Sequence, residues 1–278
     1  MTADGVATPT VSVLLATNVL NAWLDQAVRS ILDQGEVDLE LVVVHDQIGV
    51  DHDRTWTADP RVRCVTTGTS RGVGHALAVG AQVAQGRYLA RLDGDDLALP
   101  GRLQAQVQHL QAHPEVVLLG TVARTIDELG AVTGRLGMTP AGDVRAVLLT
   151  RNVVVHSSVM MRRDAYEASG GYEASLRQME DYDLWLRLAL QGEVHVIQRE
   201  LTEYRVHGGQ LSRRAGSSGT YIDVVIRGRL DLARHLGRSL LLQHLRNTAW
   251  RAVQVARGRG WRRPGYERPA ASGPVSSS

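Results

Sequence analysis

Gly86-Arg87-Tyr88-Leu89-Ala90-Arg91-Leu92-Asp93-Gly94-Asp95-Asp96 is the stretch that decides the fold. Tyr88 to Leu92 reads as a buried strand, set off by Gly86 from a small-residue helix before it and ended by three carboxylates within four residues. Carboxylates this close repel one another unless a cation neutralises them. Hard dications such as Mg²⁺ or Mn²⁺ suit oxygen ligands and take one or two carboxylates together with substrate phosphates. Gly94 permits the tight turn that lets the acids converge. A solvated acidic turn capping the helix near Pro100 is the plainer reading. The position of the cluster directly after a buried strand favours the ligand site, because open α/β sheets bind ligands beyond the carboxyl ends of their strands.

Strand and helix patterns alternate around this segment. Val11 to Ala16 and Leu39 to Val44 are apolar runs suited to parallel strands, and Arg61 to Val65 is a weaker third. Between the first two, Trp23, Leu24, Ala27, Val28 and Ile31 recur at helical spacing up to Gly35. Gly72 to Ala84 reads as the small-residue helix. Such alternation implies an open, mostly parallel sheet. Thr17, Asp46 and Asp93 then fall at the ends of three strands, along one edge.

Beyond Pro100 the spacing predicts a helix through Leu103, Val107 and Leu110, a strand over Val116 to Val122, and a hairpin or loop with a short helix over 125–150. Strand-like runs follow at Val153 to His156 and Val159 to Met161, then helices over Arg163 to Ser169 and about Asp181 to Gln191. Trp185 fits the core of the last, with an acceptor-sugar platform as its alternative.

Composition removes several classes. All 31 basic residues are arginine, so a Walker A phosphate loop, which needs lysine, is excluded. Cys64 is the single cysteine, which rules out an intrachain disulfide or a cysteine metal cluster. A net charge of +2 does not suggest a nucleic-acid partner. Met1 to Pro9 lacks the layout of a secretory signal, and no apolar run approaches the ~20 residues of a membrane span, so a cytoplasmic protein is expected. Gly72-Val73-Gly74 opens like a dinucleotide fingerprint, but Leu77 stands at the third glycine position.

The order of segments resembles the family 2 glycosyltransferases. The matching stretches are Val11–Asn18, Ser30–Gln34, Leu41–Asp46, Gly86–Asp96, His156–Met160, Met179–Arg187 and Tyr204–His207. The resemblance implies the GT-A fold: an α/β single domain with a Rossmann-like, mostly parallel central sheet flanked by helices, here with a helical C-terminal extension. It implies an inverting transfer from a nucleoside diphosphate sugar (UDP-, GDP- or dTDP-linked) to a saccharide or lipid-linked saccharide, in the making of a bacterial polysaccharide or glycoconjugate. Position by position, Thr17 and Asp46 would line the nucleobase pocket and Arg71 would lie near the base or diphosphate. Asp93 would touch the ribose or the metal shell, and Asp95 and Asp96 would carry the metal. Asp181 resembles the catalytic base, with Asp183 in reserve. His207 resembles a late histidine that joins the metal or phosphate shell in some relatives. Asn18 replaces the family's usual aromatic, and His45-Asp46-Gln47-Ile48 replaces its Asp-Asp-Gly-Ser, which leaves the nucleotide open.

Two other functions are weighed. A metal-dependent nucleotidyltransferase needs a basic, glycine-rich N-terminal loop, and Ala16-Thr17-Asn18-Val19 has neither feature. A non-catalytic nucleotide-sugar binding module would bind without needing Asp181, which otherwise serves as a helix cap. The expected domains are a catalytic unit over 10–215, divided into a nucleotide-sugar half (10–100) and an acceptor half (101–215), and a helical extension over 216–262. Residues 1–9 and 263–278 are expected to be disordered. The extension interleaves leucine with arginine. It either packs on the catalytic unit as two helices or forms a basic amphipathic surface for peripheral contact with the membrane.

Overall fold

The computed structural model describes residues 8–69, 71–210 and 219–258. The junction expected at 215 and 216 lies outside them, as do 1–7 and 263–278 of the expected disordered ends.

β1 (Val11–Thr17), β2 (Leu39–Asp46), β3 (Val62–Thr67) and β4 (Tyr88–Arg91) form a parallel sheet in the order β3-β2-β1-β4. Every residue of β2 and β4 is buried, as expected of strands covered on both faces. Alternate side chains feed two cores. Leu14, Val42 and Val44 face one side, and Val13, Leu15, Leu41 and Val43 the other. α1 (Ala22–Leu32) covers the second side with Leu24, Ala27, Val28 and Ile31, and the Asn21 side chain caps it by accepting the Leu24 N–H at 3.0 Å. α2 (Val73–Val83) covers the first. A Cβ at its Gly80 would stand 2.8 Å from Val44 Cγ2, so glycine lets this helix lie close on the sheet.

The second half continues the sheet with mixed pairing. The elements are β5 (Leu97–Ala98), α3 (Arg102–Ala112), β6 (Val116–Ile126), β7 (Val132–Leu136), α4 (Arg145–Leu148), β8 (Met160–Arg162), α5 (Arg163–Ala168), α6 (Glu180–Leu188) and β9 (Glu193–Arg205). β8 runs antiparallel between β4 and β6, β6 pairs in parallel with β9, and β9 pairs antiparallel with β5. β5 directly follows the acidic turn, so its pairing with β9 (Leu97 opposite Glu203) brings the end of β9 beside that turn.

One feature departs from the sequence expectation, and two others carried no expectation. Val153 to His156 is not a strand: Asn152 Oδ1 accepts the Val154 N–H at 3.1 Å and Ser158 Oγ donates to the Val155 carbonyl at 2.8 Å, side-chain bonds that hold a 3₁₀ turn over His156–Ser158. β9 is thirteen residues long, its apolar pattern broken by Glu193, His195, Gln198, Arg199 and Glu200. On α3, Arg102 and Gln106 are buried beside Leu103 and Leu110. Arg102 Nη2 donates to the Arg91 carbonyl at 2.7 Å and Gln106 Nε2 to the Ser158 carbonyl at 2.9 Å, satisfying backbone beneath the acidic turn.

α7 (Gly219–His235) and α8 (Leu240–Gly258) form the helical extension. α7 buries Ile222, Val225 and Leu232, and its buried Arg229 donates to the Tyr182 hydroxyl at 3.0 Å and the Thr150 carbonyl at 2.7 Å. The two helices pack on the rest of the chain through these contacts and through Gln243, while α8 keeps an exposed outer face. Among the described residues no helix is long and apolar enough to cross a membrane.

Candidate active site

A cleft of about 920 Å³ opens along the carboxyl edge of β1, β2 and β4. Thr17, Asp46, Asp93 and Asp95 line one side, and Asn152, His156, Glu180 and Asp181 line the other. Thr17 and Asp46 are the last residues of their strands, as the alternation of strand and helix predicts. Thr17 Oγ1 closes its own turn, donating to the Val19 carbonyl at 2.7 Å, and Asp46 Oδ1 accepts the Thr67 hydroxyl at 2.6 Å.

The acidic turn forms a ligand set. Asp93, Asp95 and Asp96 each offer an oxygen, all within 4.8 Å of one another. Asp96 is 1% exposed; its Oδ1 accepts the Arg205 N–H at 2.8 Å, and its Oδ2 is buried with no hydrogen-bond partner among the described residues. Burial, and then the charges of Asp93 and Asp95, push the Asp96 carboxyl well above the ordinary range. Burial likewise pushes Asp93 up to about 6, against the buried Arg91 guanidinium that pairs with it. An orphaned carboxylate oxygen among mutually repelling acids fits a hard dication, whose charge restores the ionised forms. The Ser157 hydroxyl accepts the Asp93 N–H at 2.9 Å and fixes the turn.

β9 delivers the remainder of this wall. Arg205 Nε donates to the Asp95 carbonyl at 2.9 Å, and His207 Nε2 lies 2.8 Å from Asp95 Oδ2. The Gly209 N–H donates to His207 Nδ1 at 3.2 Å, so in the neutral ring the hydrogen sits on Nε2 and points at Asp95. Trp23 packs on His207 at 4.8 Å between ring centres and carries the Arg205 guanidinium on its face at 5.2 Å.

Across the cleft, α6 opens on Glu180-Asp181, preceded by Met179 in the left-handed conformation (φ 60°). Among the described residues the other non-glycine with positive φ is Gln47, next to Asp46, so both such positions flank cleft acids. Asp181 Oδ2 accepts the Asn152 amide at 2.8 Å and Oδ1 accepts the Tyr182 N–H at 2.6 Å. Burial raises its pKa. Burial, then the Asp181 charge, pushes Glu180 up to about 7.

Two residues named from the sequence lie apart from this site. Asp183 does not line the cleft: it is buried against Arg187, accepting Nε at 3.0 Å and Nη2 at 2.6 Å, because two residues along a helix turn it about 200° from Asp181. Arg71 is exposed and outside the lining, whereas Arg177 and Arg91 are inside it. Trp185 is fully buried, which removes the platform reading. The sequence reading missed Arg91, Asn152 and Glu180 as cleft residues. Arg91 carried a signal, a cation inside an otherwise apolar strand; Asn152 carried none.

A carboxylate set suited to a dication, facing a helix-borne carboxylate across a cleft at the strand ends, is the layout of a group-transfer enzyme. The family model for glycosyl transferase family 2 matches residues 12–170, more than half of the chain, and the protein belongs to that family. It is 29% identical over 215 residues to the putative glycosyltransferase EpsE of Bacillus subtilis, covering 74% of this chain and 77% of that one. It is 26% identical over 209 residues to the UDP-Glc:alpha-D-GlcNAc-diphosphoundecaprenol beta-1,3-glucosyltransferase WfaP of Escherichia coli, covering 73% and 79%. The fold matches that of S. aureus TarS residues 1–349, solved in complex with UDP-GlcNAc, at a TM-score of 0.66 and 16% identity, over 80% of this chain and 66% of that one. The GT-A architecture expected from the sequence is the one observed.

Proposed function

We propose that the protein transfers a sugar, with inversion, from a nucleoside diphosphate donor to an acceptor hydroxyl, and that Asp181 is the base. The observation that carries this reading is that Asp93 and Asp95 of the acidic triad line the same cleft as Asp181. Asp93, Asp95 and Asp96 would hold Mg²⁺ or Mn²⁺, which supplies Lewis-acid stabilisation of the leaving diphosphate. Asp181 is held by Asn152, and burial raises its affinity for a proton, as suits a base that takes one from a hydroxyl. Attack from the face opposite the leaving group inverts the anomeric carbon. Thr17 and Asp46 would receive the nucleobase. WfaP is named for a UDP sugar and TarS was solved with one, which makes uridine the base to test first, ahead of guanosine and thymidine.

The acceptor is proposed to be a saccharide on a lipid carrier, reached at the cytoplasmic membrane face. α8 turns Gln243 and Asn247 inward and leaves Leu241, Leu242 and Leu245 exposed. Residues 216–278 hold eleven arginines against three acids (+8), and residues 1–215 hold twenty against twenty-six (−6). An exposed apolar stripe on a segment of basic composition suits an anionic bilayer.

The test is a thermal-shift screen of nucleoside diphosphates with Mn²⁺, followed by transfer assays with the sugars of whichever nucleotide stabilises. Stabilisation that needs both nucleotide and metal, and is lost in Asp95→Asn, supports the donor site. No stabilisation by any nucleotide overturns it.

A further inference from the structure

At the other end of β9 from the cleft, three histidines meet. His109 lies in the last turn of α3, His113 follows one turn later, and His195 stands near the start of β9. Their ring centres are 4.6 Å (His109 to His113), 5.3 Å (His109 to His195) and 5.9 Å (His113 to His195) apart. Three imidazoles sharing one ion at bonds of ~2.0–2.1 Å in tetrahedral geometry place their ring centres about 5 Å apart. His195 precedes Arg205 by ten strand residues, roughly 30 Å at the usual rise, so the cluster is remote from the acidic triad.

Each of two histidines has a carboxylate on one ring nitrogen. His195 Nε2 lies 2.9 Å from Glu193 Oε2, and His113 Nδ1 lies 3.0 Å from Glu115 Oε1. A carboxylate holds the hydrogen on the nitrogen facing it, so the opposite nitrogen presents its lone pair. For His195 that nitrogen is Nδ1, which accepts the His109 Nε2–H at 3.1 Å; an ion would take the place of this hydrogen, and the separation is close to the ~3.3 Å between two ligand atoms on one tetrahedral ion.

We propose that His109, His113 and His195 form a second metal site, selective for a transition-metal dication such as Zn²⁺ and separate from the oxygen-lined triad. Imidazole donors favour zinc and its neighbours over Mg²⁺. Among the described residues only the acidic triad has ligand atoms that already all lie within 4.8 Å of one another, so closure of the histidine site takes a turn of His113, whose side chain is 45% exposed. The ion would staple the end of α3 to the start of β9. β9 is joined there to the residue before β6 by the Glu193 N–H, which donates to the Glu115 carbonyl at 2.8 Å.

The test is calorimetric titration of the untagged full chain with Zn²⁺ in excess Mg²⁺, which saturates the oxygen site, with Co²⁺ absorption as the report of tetrahedral nitrogen ligation. One equivalent of Zn²⁺ should bind and raise the melting temperature. His113→Ala, at an exposed position outside the cores, should weaken binding by roughly tenfold or more, and Glu193→Gln should weaken it by a similar factor. Asp95→Asn should leave Zn²⁺ binding unchanged. Absence of a Zn²⁺ heat or a tetrahedral Co²⁺ band in the folded wild type overturns the site. So does affinity unchanged in both His113→Ala and Glu193→Gln.

Discussion

Nε2 of His207 lies 2.8 Å from Oδ2 of Asp95, although 112 residues separate the two in the chain. With Gly209 donating to the other ring nitrogen, His207 acts here as a donor that orients Asp95. His207→Ala should therefore raise the Mn²⁺ concentration for half-maximal activation by roughly 10- to 100-fold. The far-ultraviolet spectrum should not change, since His207 is half-buried at the rim of the cleft. Metal titration of the initial rate checks this, and an unchanged midpoint would make His207 a bystander.

The two α6 aspartates should separate cleanly. Asp181→Asn should lower turnover by about 10²- to 10⁴-fold while stabilisation by nucleotide and metal persists. Asp183→Asn should cost about 1–3 kcal/mol of stability through its lost bonds to Arg187, with turnover within a few-fold of wild type. Rates and urea melts of both variants decide the assignment, and the reverse pattern would transfer the base to Asp183.

His156 makes stability depend on pH. Burial, then the Arg91 charge, hold it well below the ordinary 6.5, while its Nε2 shares a 2.8 Å hydrogen bond with the Tyr172 hydroxyl. The folded protein excludes a proton that the unfolded chain takes up below pH 6.5. The histidine's contribution is thus full above that pH and is lost as the pH falls. Urea melts of wild type and His156→Gln should differ by a constant amount above about pH 7, with the wild type losing up to about 1.4 kcal/mol per pH unit relative to the variant below 6.5. Glu180, pushed up to about 7 chiefly by burial, lies 3.9 Å from His156 Nδ1 and interacts with it, so the same pair of melts in a Glu180→Gln background isolates the histidine. A difference independent of pH would place a proton on His156 in the fold.

Membrane contact should depend on the outer face of α8. Leu241 and Leu245 are 74% and 62% exposed, so replacing both with glutamate leaves the cores intact. The wild type should float with vesicles rich in anionic phospholipid and less with neutral ones, and the double variant should stay behind. Equal flotation of the two proteins would exclude this face. Deleting the whole extension would be a poorer experiment, because α7 buries Ile222, Val225 and Leu232 against the rest of the chain.

Much of the nucleotide side was legible because its logic is local. The apolar runs of β1, β2 and β4 and the polar residue ending each needed only the alternation of strand and helix. β9 was harder to read, since a long strand with polar and charged residues on half its length has no clean period of two. The 3₁₀ turn at His156 was hidden because valine-rich sequence suggests a strand, while single side-chain bonds from Asn152 and Ser158 decide otherwise.

The sequence by itself determined the family, the parallel half of the sheet, and the placement of Thr17, Asp46 and the acidic triad at its edge. Only the tertiary structure decided which α6 aspartate faces the cleft, that His207 reaches Asp95, and that the leucines of α8 point outward. A hydrophobic period sets where an element lies and how long it runs, but not its rotation against distant partners. That phase comes from long-range packing: from β5 on β9, from Arg187 on Asp183, and from Gln243 and Asn247 on the inner face of α8.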